Sequence, residues 1–485
     1  MASLVTSTEE VSAGGIDITT GSLSIVNGAQ FNTNTYGKSN AGNIILNVDG
    51  ALDITGGKIF SNVEAGGVGD AGIVTINSGS LTLQDGEIST SSRGQGNAGN
   101  IEITASDSVS VDNSFITSNI GDFNEVAAVG KVGSISLTAK SVSFTNTAQL
   151  QAGFFSNTRG KPGRISIEAE DSISFDGTDT GIFSDAYFGS IGGGSDIKLL
   201  AESISLTNGA ILNADNSGEG NGGNIIIEAN NLTLRNGRIT AATLFGEGGN
   251  INLKVDELLQ MRDNSLISAQ AFEDANGGNI DINAGFVIAF PSQTPNDGND
   301  IIASAERGDG GNININTQQI FGLQERRATE GNGTNDIDAS SEFGLSGEVV
   351  ISNLVDDINQ GVVELPDNVV EPETVTAQAC PAAGRVARGE SSFTITGRGG
   401  LPALATDPLT SDLISIEGDD TAQSSQKSPK GLVTVTEQPN PPSSKDIIPA
   451  RGMIVNEKGE IVLTAYPTPN TSQRTPNNLA SCSRS

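Results

Sequence analysis

Apolar and polar residues alternate along this chain in short runs, and the runs return at a regular interval. A phrase of glycine, a small polar residue and a β-branched residue marks each return, as in Gly42-Asn43-Ile44, Gly99-Asn100-Ile101, Gly223-Asn224-Ile225, Gly249-Asn250-Ile251, Gly278-Asn279-Ile280 and Gly311-Asn312-Ile313. Looser copies put apolar anchors at Ile16, Ile73, Ile135, Ile165, Ile197 and Val349. The mean spacing is about 30 residues, within the range of solenoid repeats. Behind each anchor comes an alternating strand such as Ile101-Glu102-Ile103, then a second such as Leu232-Thr233-Leu234. A turn such as Asn208-Gly209 or Asn236-Gly237 follows, and a third strand begins near Ile211, Ile239 or Ile267.

Alternation with period two means a strand with one buried face. Strands this short are stable only when each pairs with its counterpart in the next repeat. The expected fold is therefore all-β: a parallel β-helix of about 12 coils over residues 1–353, roughly 55 Å long at ~4.8 Å per coil. A propeller needs longer, four-stranded blades with aromatic signatures, and the chain has no Trp. The anchor residues Asn43, Asn100, Asn224, Asn250, Asn279 and Asn312 are expected at a tight turn with positive φ, and as an amide ladder running from coil to coil.

The pattern ends near Ile351. Residues 354–406 read as an acidic connector closing on Gly397-Arg398-Gly399-Gly400-Leu401-Pro402, and residues 407–449 as a Pro- and Ser-rich linker. Residues 450–485 read as one short hairpin around Lys458-Gly459 followed by an irregular tail. Cys380 and Cys482 are compatible with one disulfide or with two free thiols.

Composition narrows the chemistry. The 485 residues include 58 acidic and 26 basic side chains, a formal charge of −32, which argues against nucleic acid and anionic lipid as partners. There is no His, which removes the commonest general base, the usual Ser and Cys activator, and His metal sites. The acidic pairs Glu273-Asp274, Asp356-Asp357 and Asp419-Asp420 read as solvated turns or linker rather than catalytic carboxylates. Gly308-Asp309-Gly310-Gly311-Asn312 is a single echo of a calcium-binding nonapeptide, without tandem copies. No cofactor or metal is expected. Phe154-Phe155 and Tyr187-Phe188, in neighbouring repeats, are expected either to cap a face of the coil or to form a small exposed apolar patch.

Several segments carry a resemblance. They are Val287-Ile288-Ala289-Phe290-Pro291, Asn299-Asp300-Ile301-Ile302-Ala303, Ile320-Phe321-Gly322-Leu323, Asn335-Asp336-Ile337, Ser340-Ser341-Glu342-Phe343-Gly344-Leu345-Ser346-Gly347, Gly361-Val362-Val363-Glu364-Leu365-Pro366 and the Phe393–Pro402 run. Together with the two cysteines, these are similar to the C-terminal part of cyanobacterial filamentous-haemagglutinin-like exoproteins. The resemblance implies a right-handed parallel β-helix, secreted or displayed on the cell surface by an outer-membrane β-barrel partner of two-partner secretion. It implies an adhesin-like, non-enzymatic role, with extracellular polysaccharide or other cells as partners. A polysaccharide-acting lyase or hydrolase is the alternative reading of a β-helix. Members of that family begin with an export signal and a capping domain, whereas Gly14-Gly15-Ile16 already lies inside a repeat, so this chain is expected to be a fragment.

Overall fold

In a computed structural model the chain divides into two units, Met1–Glu371 and Pro372–Ser485. The structure describes residues 13–123, 127–291, 298–329 and 331–353 of the first, and the backbone of 452–455 and 461–464 of the second.

The first unit is a parallel β-solenoid. Its larger sheet stacks one long strand per coil, including Ile44–Thr55, Val74–Gln84, Ser134–Thr145, Arg164–Asp176, Asp196–Thr207, Ile225–Arg235 and Ile251–Arg262. The second sheet stacks one three-residue strand per coil, such as Lys58–Phe60, Gln149–Gln151, Gly181–Phe183 and Leu266–Ser268. A third side is joined by single parallel bridges, Thr35 to Val63 to Ser92 to Ile120 to Phe154 and onward. The first two strands expected in each repeat are therefore mostly one. Register shifts, as between Ala139 and Ser141, absorb the unequal coil lengths inside the long strand. The two stay separate at Ile101–Ala105 and Ser108–Asp112.

Alternation places the core as expected. Ile225, Ile227, Leu232 and Leu234 are fully buried, while Ile226 between them is exposed. Like stacks on like across coils: Ile197 pairs with Ile225, Ile225 with Ile251, and Ile251 with Ile280. Phe144 and Phe175 stack inside, with ring centroids 4.9 Å apart. One anchor is misassigned by the sequence pattern. Ile44 pairs with Val74, not Ile73, and Val74 pairs with Ile101. Ile73 occupies the position that Asn43 holds one coil earlier and points outward, 39% exposed.

The corner preceding each long strand explains the recurring glycine. A Cβ on Gly42, Gly72, Gly99, Gly133, Gly249, Gly278, Gly311 or Gly347 would collide with the carbonyl oxygen of the glycine one coil earlier. The backbones approach too closely for any side chain. Each coil is also tied across itself here: the Gly249 N–H donates to the Ala241 carbonyl at 3.1 Å, and the Gly278 N–H to that of Ala269 at 2.9 Å.

The asparagine beside this glycine does not have positive φ. That conformation belongs to the other turn, at Asn27, Asn113, Asn146, Asn208 and Asn236. The anchor asparagines instead hold their side chains against the next coil. Asn43 Oδ1 accepts from Ile73 N–H at 2.9 Å, and Asn100 Oδ1 from Ser134 N–H at 3.0 Å. Asn224 Oδ1 accepts both N–H and Nδ2 of Asn250, at 3.0 and 3.2 Å. Asn250 Oδ1 does the same for Asn279, again at 3.0 and 3.2 Å. Asn279 Oδ1 then accepts from Asn312 N–H, and Asn312 Oδ1 from Glu348 N–H, both at 2.9 Å. The bonds lie at the surface, so each contributes modestly. Asn250→Ala is expected to cost about 1 kcal/mol in chemical denaturation. Asn250→Asp, which keeps the acceptor, is expected to cost less; equal losses would place the effect elsewhere.

The short-strand sheet ends in an excursion. Gln324–Glu325 folds back beyond Asp336–Asp338 and pairs with it in parallel, covering the last edge. Arg326 forms an ion pair with the fully buried Asp336, and Asp338 Oδ2 accepts from Ala328 N–H at 3.0 Å.

In the second unit Gly452–Val455 and Ile461–Thr464 pair antiparallel, Met453 opposite Leu463. The side chains of this hairpin, the connector, the linker and both Cys380 and Cys482 lie outside the described residues.

Candidate binding groove

The outer face of the short-strand sheet is concave. In each three-residue strand the central residue, such as Ile59, Ile88, Ile116, Ile182 or Ile267, enters the core. Its neighbours must then point outward. Yet the third residues Ser89, Thr117, Thr240, Ser268, Ile302 and Asp338 are also buried. Outward residues lose their exposure only where the surface folds over them. They form the floor of a groove that is closed in at these coils, while Asn32, Phe60, Gln151, Phe183 and Asn213, at the same position in other coils, are only half-buried.

A second polar column lies beside this floor, three residues past each buried centre. Asn34 Oδ1 accepts from Asn62 N–H, and Asn62 Oδ1 from Ser91 N–H, both at 2.8 Å. Ser91 Oγ accepts from Asn119 N–H at 3.0 Å, and Asn119 Oδ1 from Gly153 N–H at 2.9 Å. The column continues through Asp185 and Asp215, whose Oδ1 accepts from Ala242 N–H at 2.6 Å. None of these residues was singled out in the sequence. The available signal was a small polar or acidic residue recurring at that fixed offset.

Among the described residues, two hollows on this face stand out. The larger, about 630 Å³, lies over the last coils between Arg238, Leu266, Phe272, Asp300, Glu306 and Arg327. The smaller, about 200 Å³, lies where Gly153 interrupts the polar column, between Gln149, Phe155, Asp185 and Tyr187. Electrostatics differ from the ordinary surface at the smaller one. Burial pushes the Asp185 carboxyl well above the usual carboxylate range, and the charge of Asp215 adds to the effect. Burial likewise raises Asp215 to about 6, against the hydrogen bond from Ala242 N–H that lowers it. The Tyr187 phenol is raised by its own burial and then by the charge of Asp185.

The aromatic residues divide between core and groove. Phe154 is fully buried and stacks in the core column, whereas Phe155 turns outward against Tyr187, and Phe188 is 68% exposed. The acidic pair Glu273-Asp274 faces Arg307, at 2.7 and 3.7 Å. Asp309 accepts from Leu345 N–H at 2.9 Å. Asp356-Asp357 and Asp419-Asp420 lie outside the described residues. Among the described residues no three His, Cys, Asp or Glu side chains converge as a metal site. Comparison with protein-family models, with curated proteins and with solved structures finds no match.

Proposed function

We propose that this chain is an adhesin-like, non-enzymatic rod that holds an extended extracellular polysaccharide along its outer groove. The observation that carries the reading is the groove: a concave, polar, coil-by-coil floor with aromatic side chains at intervals. Such a surface repeats its hydrogen-bonding groups at the coil spacing, which suits a repeating polymer better than a compact ligand. The net negative charge disfavours anionic partners and opposes self-association. Display at the cell surface after two-partner secretion rests on the resemblance of residues 287–402.

Mild protease treatment of intact cells that make the protein tests the display. An antibody to the Phe393–Pro402 segment should lose its band while the cells stay sealed. A band that survives until the cells are lysed would end the surface role.

A second reading has one specific observation behind it. Asp185 and Asp215 occupy the same column in adjacent coils, beside a hollow, with both carboxyls raised. A carboxyl group that holds its proton more tightly than usual can serve as the general acid of glycoside hydrolysis. New reducing ends from a polysaccharide would favour this reading over binding alone.

A further inference from the structure

The smaller hollow has the attributes of a site for a single ring. Its volume, about 200 Å³, is below the ~300–1,000 Å³ of pockets for larger ligands. Three aromatic rings stand on one side. Phe155 is stacked on Tyr187, with centroids 5.2 Å apart and planes within 7°, and Phe123 meets Phe155 edge-on at 4.6 Å. Phe155 is almost buried, but Tyr187 is 41% and Phe123 76% exposed.

Asp185 also lines the hollow, and its Oδ1 is buried without a hydrogen-bond partner. The polar column explains why. At Asn34, Asn62, Ser91, Asn119 and Asp215 the oxygen at this position accepts from the next coil's N–H, but here that N–H, of Asp215, donates instead to Asn213 Oδ1 at 2.7 Å. Gly153, one coil earlier, has no side chain to fill the gap. A buried acceptor left unpaired is unfavourable until something donates to it. Neighbouring amides are already held in a relay: Asn119 Nδ2 donates to Gln151 Oε1 at 3.1 Å, and Gln151 Nε2 to Gln149 Oε1 at 2.6 Å.

An exposed aromatic edge beside an unpaired acceptor calls for a ligand with an apolar face and hydroxyl donors at its rim. A pyranose ring has both, because its C–H face packs on the electron-rich face of an aromatic ring. Charge then selects among sugars. Among the described residues no Lys or Arg lines this hollow, whereas Asp185 does and Asp215 is its neighbour in the column. A uronate carboxylate would lose water there without a compensating cation, beside two carboxyl groups.

We propose that the hollow between Tyr187, Phe123 and Asp185 is a subsite for one uncharged pyranose ring of a polysaccharide lying in the groove. The proposal rests on the groove reading above and adds the sugar class to it.

The test is calorimetric titration of the full chain with cellohexaose, xylohexaose, laminarihexaose and mannohexaose, and with hexagalacturonate. Saturable binding of at least one neutral hexaose is expected, with none of hexagalacturonate. Tyr187→Ala should weaken the neutral binding about ten-fold, and Phe123→Ala and Asp185→Ala should also weaken it. Tyr187 and Phe123 are exposed, so these two variants should keep the melting curve of the parent. Neutral binding unchanged in all three folded variants would overturn the subsite while leaving the groove reading intact. Preference for hexagalacturonate would overturn the uncharged class alone. Binding of neither kind of sugar would overturn the subsite and the groove reading together.

Discussion

Gly249→Val is expected to destabilise the solenoid by about 3 kcal/mol or more, the upper end of overpacking penalties. The Gly249 Cβ would stand against the Gly223 carbonyl and the Ala241 side chain, while Gly278 presses on Gly249 from the next coil. Relief requires the coils to separate, which breaks the parallel pairing of Ile225–Arg235 with Ile251–Arg262 and of that strand with Ile280–Ala289. Coils contact only their neighbours, so the damage should be local. Hydrogen exchange should accelerate first in the long strands around residues 225–289. Gly21 serves as control, since nothing lies within 4 Å of its Cβ position and its φ is not positive. Gly21→Ala should leave stability within about 0.5 kcal/mol of the parent. Equal effects at the two positions would refute the close-approach explanation of the glycine column.

The second large effect is a pH dependence. Burial raises the Asp215 carboxyl from 3.8 to about 6, so the folded protein holds this proton more tightly than the unfolded chain does. The corresponding stability is fully present below pH ~4. It is lost as pH rises through about 6. Each tenfold gain in proton affinity on folding is worth ~1.4 kcal/mol, so the loss is roughly 3 kcal/mol in all. Asp185, raised by its own burial, pulls in the same direction. Asp215→Asn keeps an oxygen for the Ala242 N–H and removes the ionisation. It should match the parent at pH 4 and exceed it in melting temperature at pH 7.5. A variant less stable than the parent at pH 7.5 would mean that the ionised carboxylate is favourable in place.

The parts of this fold that were legible in the sequence are those where one physical demand acts on every coil. Steric exclusion at the corner admits little but glycine, so Gly42, Gly99, Gly249 and Gly278 stand out. Alternation marks Ile225, Ile227, Leu232 and Leu234 as inward. The same rule misled at Gly72-Ile73-Val74, where a β-branched residue took the place of asparagine and passed for the anchor. Positive φ at the anchor asparagines was also a wrong expectation. Asparagine serves two purposes in this solenoid, a left-handed turn at Asn208 and a cross-coil acceptor at Asn250, and composition does not separate them. The groove was hidden because the column beside its floor accepts several side chains. Asn62, Ser91, Asn119, Gly153, Asp185 and Asp215 share a position without sharing a residue type.

The central claim is binding without chemistry along a rod, and one measurement addresses it most directly. The full chain is mixed with a size-defined neutral polysaccharide, and the polymer's mass is followed by size-exclusion chromatography with light scattering as protein is titrated. The account predicts a complex whose bound protein saturates, with the polymer recovered at its original mass after the protein is removed. Polymer recovered shorter, with new reducing or unsaturated ends, would contradict it and make this β-solenoid an enzyme.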